Sequence, residues 1–255
     1  MNIVVALKQI PSMADELPLN AQGSNLDFDE VDFVLNEFDE HALEQAVLVK
    51  EKSGGAVTAL GVDLIEALDD VLYTALAKGA DKAIKIVGDF EPGADSHTQA
   101  AWLAAVIRDL SPDLVLTGVQ AANDLDGQIG PMLAAHLDLP YVGVVTGLEV
   151  AQGVAKVHKE FAGGVVADIE VDLPCVAGIQ AAAKPPRYAP ISKIRQIAKT
   201  AQIAEAEAAA AGPDAGVTLR RMAKPVATGR ADMLAGDAKQ VAAKIIDILT
   251  ERGLL

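Results

Sequence analysis

Short apolar runs rich in β-branched residues alternate with longer segments of helical periodicity through the first 145 residues. The runs are mostly apolar along their whole length, which is typical of parallel strands covered by helices on both faces. The sequence therefore predicts an α/β fold with a doubly wound, mostly parallel sheet. The predicted strands are Ile3–Leu7, Ala56–Gly61, Ala83–Val87, Leu114–Thr117 and Tyr141–Val145.

Helix-start and helix-stop residues bound the segments between these strands. Asn36 is a good N-cap residue, and Asp39 follows three positions later as a carboxylate variant of the capping box. The helix that begins there ends at Gly54-Gly55. Three further helices are predicted, at about Leu64–Ala77, at about Ser96–Leu110 and from Gly130-Pro131 onward.

The pattern changes after Val145, where short runs alternate apolar and polar residues. Gly163-Gly164 lies between two of these runs and predicts an antiparallel hairpin. Residues 212–236 show little regular pattern, which suits an arm on another surface better than the inside of a compact domain. The predicted elements are strands at Gly147–Ala151, Ala155–Phe161, Val165–Val171 and Cys175–Ile179, and helices at Ile191–Ala198 and Asp237–Arg252.

The charge of the chain is strongly asymmetric. The net charge is −15, but residues 1–180 carry −20 and residues 181–255 carry +5. We therefore place a domain boundary near residue 180, between an acidic α/β domain and a cationic C-terminal part. The cationic part either folds back on the acidic domain or lies across another subunit.

Composition argues against nucleic-acid and membrane partners, against cysteine-based metal sites and against secretion. A net charge of −15 opposes nucleic acid or an anionic membrane as the main partner. The single cysteine, Cys175, forms neither an internal disulfide nor a cysteine-based metal cage. Residues 2–7 are too short for a signal-peptide core, and no apolar run approaches the roughly 18 residues that span a bilayer. We expect a cytoplasmic protein without direct membrane insertion.

Ligands of open α/β sheets bind at the carboxyl ends of the strands, where the strand order reverses. The most unusual sequence at such a place is the loop Gly118–Pro131, which leads from a predicted strand into a helix. Its glycines, small residues and amides permit close approach of an anionic ligand, and the helix N-terminus offers free N–H groups. The loop is either a nucleotide site or a strand-to-helix turn with local side-chain hydrogen bonds.

No catalytic motif accompanies this loop in the sequence. Neither GxGxxG nor the phosphate-binding Gly-x4-Gly-Lys-Ser/Thr loop is present. Asp124 and Asp126 either hold a divalent cation or solvate the loop, and we predict no metal site because no further ligand cluster is evident. The pattern suggests a binding or carrier subunit. The alternatives are a free-standing adenine-nucleotide sensor and a nucleotide-dependent enzyme.

Several segments together resemble the beta subunit of electron transfer flavoproteins, in that family's order across roughly residues 1–200. They are Val4–Gln9, Asn36–Ala46, Ala75–Asp81, Gly118–Pro131 and Pro186–Tyr188. The resemblance implies an adenine nucleotide alpha hydrolase-like fold with an antiparallel hairpin and an extended C-terminal arm on a partner subunit. It also implies a heterodimer whose alpha subunit holds most of a redox-active FAD while the beta subunit binds AMP. In electron-bifurcating members a second FAD replaces the AMP.

The same resemblance implies site residues and partners. The loop near Gln180–Pro190 would dock flavin dehydrogenases, such as the acyl-CoA dehydrogenases of fatty acid β-oxidation, and a quinone reductase would receive the electrons. Ala183 stands where the family has an anchoring leucine, which leaves the docking partners open. Phe38 would face the flavin ring. The implied cofactor-binding residues are Ala6, Asn36, Glu37, Phe38, Asp39, Gly61, Gly118, Gln120, Ala121, Asn123, Asp124, Asp126, Gly127, Gln128 and Ile129.

Overall fold

The computed structural model describes residues 1–13, 16–90, 94–124, 127–208, 219–226, 229 and 231–255. The chain divides into two compact units, residues 1–222 and residues 223–255. Of the irregular segment predicted at 212–236, the described residues contain no helix or strand. Within the described ranges, no helix combines the length and the apolarity needed to cross a bilayer.

The first unit is built around a large sheet. Its strands in the described residues are β1 (Asn2–Ala6), β2 (Gln9–Pro11), β3 (Phe33–Leu35), β4 (Ala56–Val62), β5 (Lys82–Val87), β6 (Leu114–Gly118), β7 (Tyr141–Ala151), β8 (Val154–Glu160), β9 (Val166–Asp172), β10 (Cys175–Ile179) and β11 (Ala204–Glu207). Nine of these form one sheet in the order β11-β5-β4-β1-β6-β10-β7-β8-β9, and β2 pairs with β3 separately. The neighbours from β11 to β7 are parallel, whereas β8 and β9 are antiparallel. The predicted mostly parallel sheet with an antiparallel hairpin is confirmed.

Helices cover both faces of the parallel strands. The described residues contain α1 (Glu37–Ser53), α2 (Asp69–Lys78), α3 (Ser96–Leu110), α4 (Ile129–Leu137), α5 (Ile191–Ala198) and α6 (Ala238–Glu251). Helices α1 and α2 pack on one face, and α3 and α4 pack on the other. In β1, Ile3 and Val5 face α1, whereas Val4 and Ala6 face α3 and α4. This two-sided burial explains why the central strands are apolar along their whole length.

The strand order reverses beside β1. The chain passes from β1 to β4 and β5 on one side and then crosses to β6 on the other side. The carboxyl ends of β1 and β6 therefore meet at the topological switch point, where ligands of open α/β sheets bind. The fold thus brings the loop after Leu7 next to the loop after Gly118.

Helix α2 begins at Asp69, and the predicted start near Leu64 is wrong. The Oδ1 atom of Asp63 accepts hydrogen bonds from the backbone N–H groups of Ala67 and Leu68, at 2.9 and 3.1 Å. These bonds stabilise a turn directly after β4. Glu66 in this turn has a φ of 56°, which is incompatible with a right-handed helix.

Several strands differ from the prediction, which did not include the short strands β2 and β3. Strand β7 is continuous where two strands were predicted, because it pairs first with β10 and then with β8. A bulge marks this change of partner, with a φ of 60° at Val144. Edge strand β11 was not predicted, because its sequence Ala-Glu-Ala-Glu lacks the β-branched and aromatic residues that favour strands. Parallel pairing with β5 supplies its hydrogen bonds.

Candidate nucleotide site

Asp39 joins the two strand ends at the switch point. It lies in the first turn of α1 and is 6 % exposed. Its Oδ1 atom accepts a hydrogen bond from the backbone N–H of Gly118, at the end of β6, over 2.8 Å. Its Oδ2 atom accepts one from the backbone N–H of Lys8, just beyond β1, over 2.7 Å. One carboxyl group therefore holds α1, β1 and β6 together.

The environment of Asp39 changes its acidity. Burial raises the pKa of this carboxyl from 3.8 to about 7. The hydrogen bonds from Gly118 and Lys8 oppose the rise, because they favour the ionised form. The switch point thus contains a group whose charge changes near neutral pH, which is more frequent at functional sites than elsewhere.

Asn36 and Asp39 do not form the predicted capping box. Such a box would use the backbone N–H of Asn36, but this group donates to the carbonyl oxygen of Lys8 at 3.0 Å. The side-chain amide of Asn36 donates to the carbonyl oxygen of Gln120 at 2.9 Å. The side chains of Asn36 and Asp39 thus form hydrogen bonds with other segments at the switch point. Helix α1 has no side-chain cap from its N-cap residue.

Lys8 also lies at the candidate site, although it is not among the residues that the resemblance implies. Its ammonium group forms an ion pair with Asp124, in the loop between β6 and α4. The two side chains are 15 % and 6 % exposed, so the pair is largely removed from water. The available signal was its place directly after β1, since residues that follow central strands lie at the switch point.

Close packing of the loop after β6 requires two glycines. A Cβ atom on Gly118 would collide with the carboxylate of Asp39 and would lie 2.7 Å from Cβ of Phe38. Gly127 has a φ of 60°, and a Cβ there would lie 2.7 Å from the carbonyl oxygen of Val119. These glycines let the loop follow its path beside the first turn of α1.

Helix α4 places its N-terminus at the carboxyl end of β6. Its N-cap residue, Gln128, makes no side-chain hydrogen bond to the helix. The nearby hydroxyl of Thr117 is buried and has no hydrogen-bond partner within the described residues. It lies 3.0 Å from the position of a Cβ atom on Gly130, in the first turn of α4. An unpartnered hydroxyl beside an uncapped helix N-terminus suits a ligand with anionic oxygen atoms.

The structure places most of the predicted site residues on the loops at the switch point, whereas Ala6 and Gly61 lie within strands β1 and β4. Ala6 is buried in the apolar core under α3 and α4. A Cβ atom on Gly61 would lie 2.7 Å from the carbonyl oxygen of Leu7, so its small size serves packing between neighbouring strands. Asp126 lies outside the described residues. The others lie at the start of α1, at the end of β6, in the loop after β6 or at the start of α4. Phe38 and Ile129 are half-buried, Ala121 is buried, and Glu37, Gln120, Asn123 and Gln128 are exposed.

The described part of the chain holds neither a cluster of metal ligands nor an exposed thiol. No cluster of three or more His, Cys, Asp or Glu residues there is arranged to hold a metal ion. Cys175 is buried in β10, and burial raises the pKa of its thiol to about 11, which opposes the reactive thiolate. The described switch point offers hydrogen-bond donors and one ion pair.

Comparison with known proteins identifies the family of the chain. The family model of the electron transfer flavoprotein domain matches residues 25–211. The chain belongs to the electron transfer flavoprotein family. This membership gives it a role in electron transfer and associates it with a flavin.

Relatives of this electron transfer flavoprotein chain extend over most of its length. The electron transfer flavoprotein subunit beta of Methylophilus methylotrophus is 33 % identical in an alignment of 261 positions that covers 98 % of each chain. The subunit beta of Syntrophomonas wolfei is 39 % identical over 71 % of this chain and 70 % of its own. The caffeyl-CoA reductase-Etf complex subunit CarD of Acetobacterium woodii is 31 % identical over 76 % and 74 %. The resemblance to the beta subunit is confirmed.

The segment after β10 of this electron transfer flavoprotein chain is attached to α1. The backbone N–H of Ala182 donates to Nδ1 of His41 at 3.2 Å, and that of Ala183 donates to Oε1 of Gln45 at 3.0 Å. The same helix therefore contributes to the switch point at its first turn and holds residues 182–187 farther along.

Arg187 makes the most extensive of these attachments. Its backbone N–H, Nε and Nη2 donate to the carboxylate of Glu44 at 2.8 to 2.9 Å, and Nη1 donates to Glu51 at 2.8 Å. The hydrogen bonds to Glu44 and then to Glu51 raise the pKa of the guanidinium above its ordinary value. Tyr188, the next residue, is exposed. Arg187 therefore anchors this segment to α1, whereas its neighbour Tyr188 is left accessible to solvent.

Proposed function

We propose that this chain is the beta subunit of a heterodimeric electron transfer flavoprotein and holds AMP at the switch point. The observation that supports this most is the pair of hydrogen bonds that Asp39 accepts from Gly118 and Lys8. They hold the ends of β1 and β6 in a preformed arrangement, and preformed concave sites at switch points are where α/β proteins bind nucleotides.

The groups around the switch point fit an adenylate. Backbone N–H groups in the first turn of α4 and the unpartnered hydroxyl of Thr117 are suitable donors for its phosphate. The loops that carry Asn36 and Gln120 supply backbone and amide groups for the base and the ribose. The AMP-binding residues of this proposal are Ala6, Asn36–Asp39, Gly61 and Gly118–Ile129.

FAD, held mostly by an alpha subunit, supplies the electron-carrying chemistry when bound. This chain does no bond chemistry of its own in the proposal. It shapes one wall of the flavin environment, with Phe38 toward the ring.

The complex carries electrons from flavin dehydrogenases, acyl-CoA dehydrogenases among them, to a quinone reductase. The loop Gln180–Pro190, with exposed Ala183 and Tyr188, is the docking site, and such carriers use small and short-lived interfaces.

Helix α6 is the proposed contact of the C-terminal arm with the alpha subunit. The side chain of Asp237 accepts a hydrogen bond from the backbone N–H of Gln240 in a complete capping box, so the helix has its own start signal. Its apolar stripe is exposed or half-buried in the described structure and includes Val241, Ile245, Ile248 and Leu249. An amphipathic helix with an uncovered apolar face is a common means of docking to a partner.

Replacing Ile245 with glutamate is expected to weaken heterodimer formation at least about 10-fold, because it places a charge within the apolar stripe. Ala243→Glu is the matched control, since residue 243 lies on the polar side of the same helix. The dissociation constant of the two purified subunits, measured by sedimentation, gives the comparison. Equal affinities for both variants would contradict the proposed contact.

Counting the ligands of the coexpressed complex tests the proposed function. We expect one FAD and one AMP per heterodimer, measured by flavin absorbance and by chromatography of the acid-released nucleotides. Two FAD and no AMP would favour the electron-bifurcating alternative, in which the AMP half of a second FAD occupies the switch point. A flavin-free homodimer would contradict the proposal and favour a free-standing nucleotide sensor.

The bifurcating alternative has a specific observation in its favour. CarD, a relative at 31 % identity, is named as a subunit of a caffeyl-CoA reductase-Etf complex. The relative from Methylophilus methylotrophus, which matches along 98 % of both chains, is named as an ordinary subunit beta. We therefore keep AMP as the proposed occupant and the second FAD as the alternative.

A further inference from the structure

The described part of the switch point contains more carboxylates than cations. Asp39 and Asp124 are both largely buried there, and Glu37 is exposed at the start of α1. Lys8 interacts electrostatically with the carboxyl of Asp39 and forms the ion pair with Asp124. A phosphate group with a charge of about −1.5 to −2 adds further negative charge to this partly dehydrated place. Without a nearby cation, such an addition is unfavourable.

The ion pair between Lys8 and Asp124 is not needed to hold the loop after β6 in place. That loop is already attached to α1 by the hydrogen bond from Asn36 to Gln120 and by the bond between Gly118 and Asp39. A largely buried ion pair contributes little net stability, because removing both charges from water opposes their mutual attraction. A charged residue at this position therefore points to a role beyond folding.

We propose that Lys8, within the AMP site of the proposed function, is the counter-charge for the adenylate phosphate and that Asp124 holds its ammonium group when the phosphate is absent. The ammonium group carries three donor hydrogens, so it can bind a phosphate oxygen while it keeps or releases the carboxylate. Asp124 then has two opposite effects: it positions the cation, and it competes with the phosphate for it.

This role predicts that only one partner of the ion pair, Lys8, speeds release of AMP when it is replaced. Lys8→Met removes the counter-charge and is expected to speed release of AMP about 10- to 100-fold, the usual effect of losing a hydrogen bond to a charged group. Asp124→Asn keeps the shape of the side chain but removes the competing charge. Release of AMP from this variant is expected to be equal to or slower than from the wild type.

The experiment measures exchange of bound AMP against isotopically labelled AMP in the complex coexpressed with the alpha subunit. Mass spectrometry of the retained nucleotide follows the exchange in the wild type, Lys8→Met, Lys8→Arg and Asp124→Asn. Lys8→Arg keeps the positive charge and is expected to lie much closer to the wild type than Lys8→Met. The arginine variant also keeps the test valid if the methionine variant assembles poorly.

Lys85 provides a matched control. Its side chain is 16 % exposed, close to the 15 % of Lys8, and it pairs with Asp63 and Asp69 near the end of β4. Lys85→Met is therefore expected to disturb a similarly buried ion pair while AMP exchange stays at the wild-type rate.

The outcomes separate this role from a purely structural one. Equal acceleration of AMP release by Lys8→Met and Asp124→Asn would show that the ion pair only stabilises the loop after β6. That result would overturn the proposal. Unchanged release in Lys8→Met would overturn it as well. In both cases a wild-type complex that contains AMP would leave the proposed function standing. A wild-type complex without adenylate would overturn the proposed function and this role together.

Discussion

Replacing Arg187 with methionine is expected to lower the free energy of unfolding by about 3 to 5 kcal/mol. The carboxylate of Glu44, whose side chain is 5 % exposed, accepts hydrogen bonds from Nε and Nη2 of this arginine. Methionine fills similar space but leaves the buried carboxylate without a counter-charge. Among the described residues, the backbone N–H of residue 187 would be the donor that remains to it. Urea unfolding of the purified chain at fixed protein concentration measures the loss.

Two further variants test whether the lost stability comes from the carboxylate of Glu44 that is left without a counter-charge. Glu51→Gln removes the other carboxylate, whose side chain is 53 % exposed, and is expected to cost less than about 1 kcal/mol. Adding Glu44→Gln to the Arg187→Met variant removes the uncompensated charge and is expected to restore much of the stability. If Arg187→Met costs no more than Glu51→Gln, the anchoring role given to the Glu44 pair is wrong.

The stability of the chain is expected to depend on the protonation of Asp39 between about pH 4 and pH 7. The pKa of this carboxyl is 3.8 in its ordinary state and about 7 in the folded chain. Within that window the folded state binds more protons than the unfolded state, so the contribution of Asp39 to stability falls as the pH rises. The change is about 1.4 kcal/mol per pH unit and reaches at most about 4 kcal/mol.

The variant Asp39→Asn isolates this contribution because asparagine does not titrate. Its side chain retains one acceptor oxygen for the amides of Gly118 and Lys8, and the lost hydrogen bond is a cost that does not vary with pH. Relative to the wild type, the variant should therefore gain about 2 to 3 kcal/mol between pH 5 and pH 8. Urea unfolding at several pH values provides the measurement.

Asp113→Asn is the control for this pH series. The carboxylate of Asp113 accepts a hydrogen bond from the backbone N–H of Asn2, and the residue is exposed. Its stability difference from the wild type should be constant from pH 5 to pH 8. A difference between Asp39→Asn and the wild type that is equally constant would refute the assigned change in protonation.

The sequence predicted most of the strands and helices because their signals are local. Uniformly apolar β-branched runs mark strands buried on two faces, and β1 is buried in this way by packing against helices on both sides. The stripe of α6 repeats with the helical period and needs no partner to be recognised. Edge strand β11 has no such signal, since only its pairing with β5 makes it a strand.

The sequence located the loop of the candidate site but not the hydrogen bonds around it. The loop after β6 was interpreted as either a nucleotide site or a strand-to-helix turn, and the structure puts it at the switch point beside the end of β1. Asn36 and Asp39 were expected to cap α1, because their spacing is typical of a capping box. The fold brings the Lys8 carbonyl and the Gly118 amide within reach, and bonds to these groups replace the capping bonds.

The sequence by itself determined the alternation of strands and helices, the charge difference between the two parts of the chain, and the position of the loop that follows β6. The tertiary structure alone decided which strand ends are neighbours and which polar groups pair. Lys8 and Asp124 are 116 positions apart in the chain, and Glu44 and Arg187 are 143 apart. Hydrophobic periodicity depends on residues that are close together in the sequence, so it indicates local secondary structure. The partner of a buried charge depends instead on the order of the strands in the sheet.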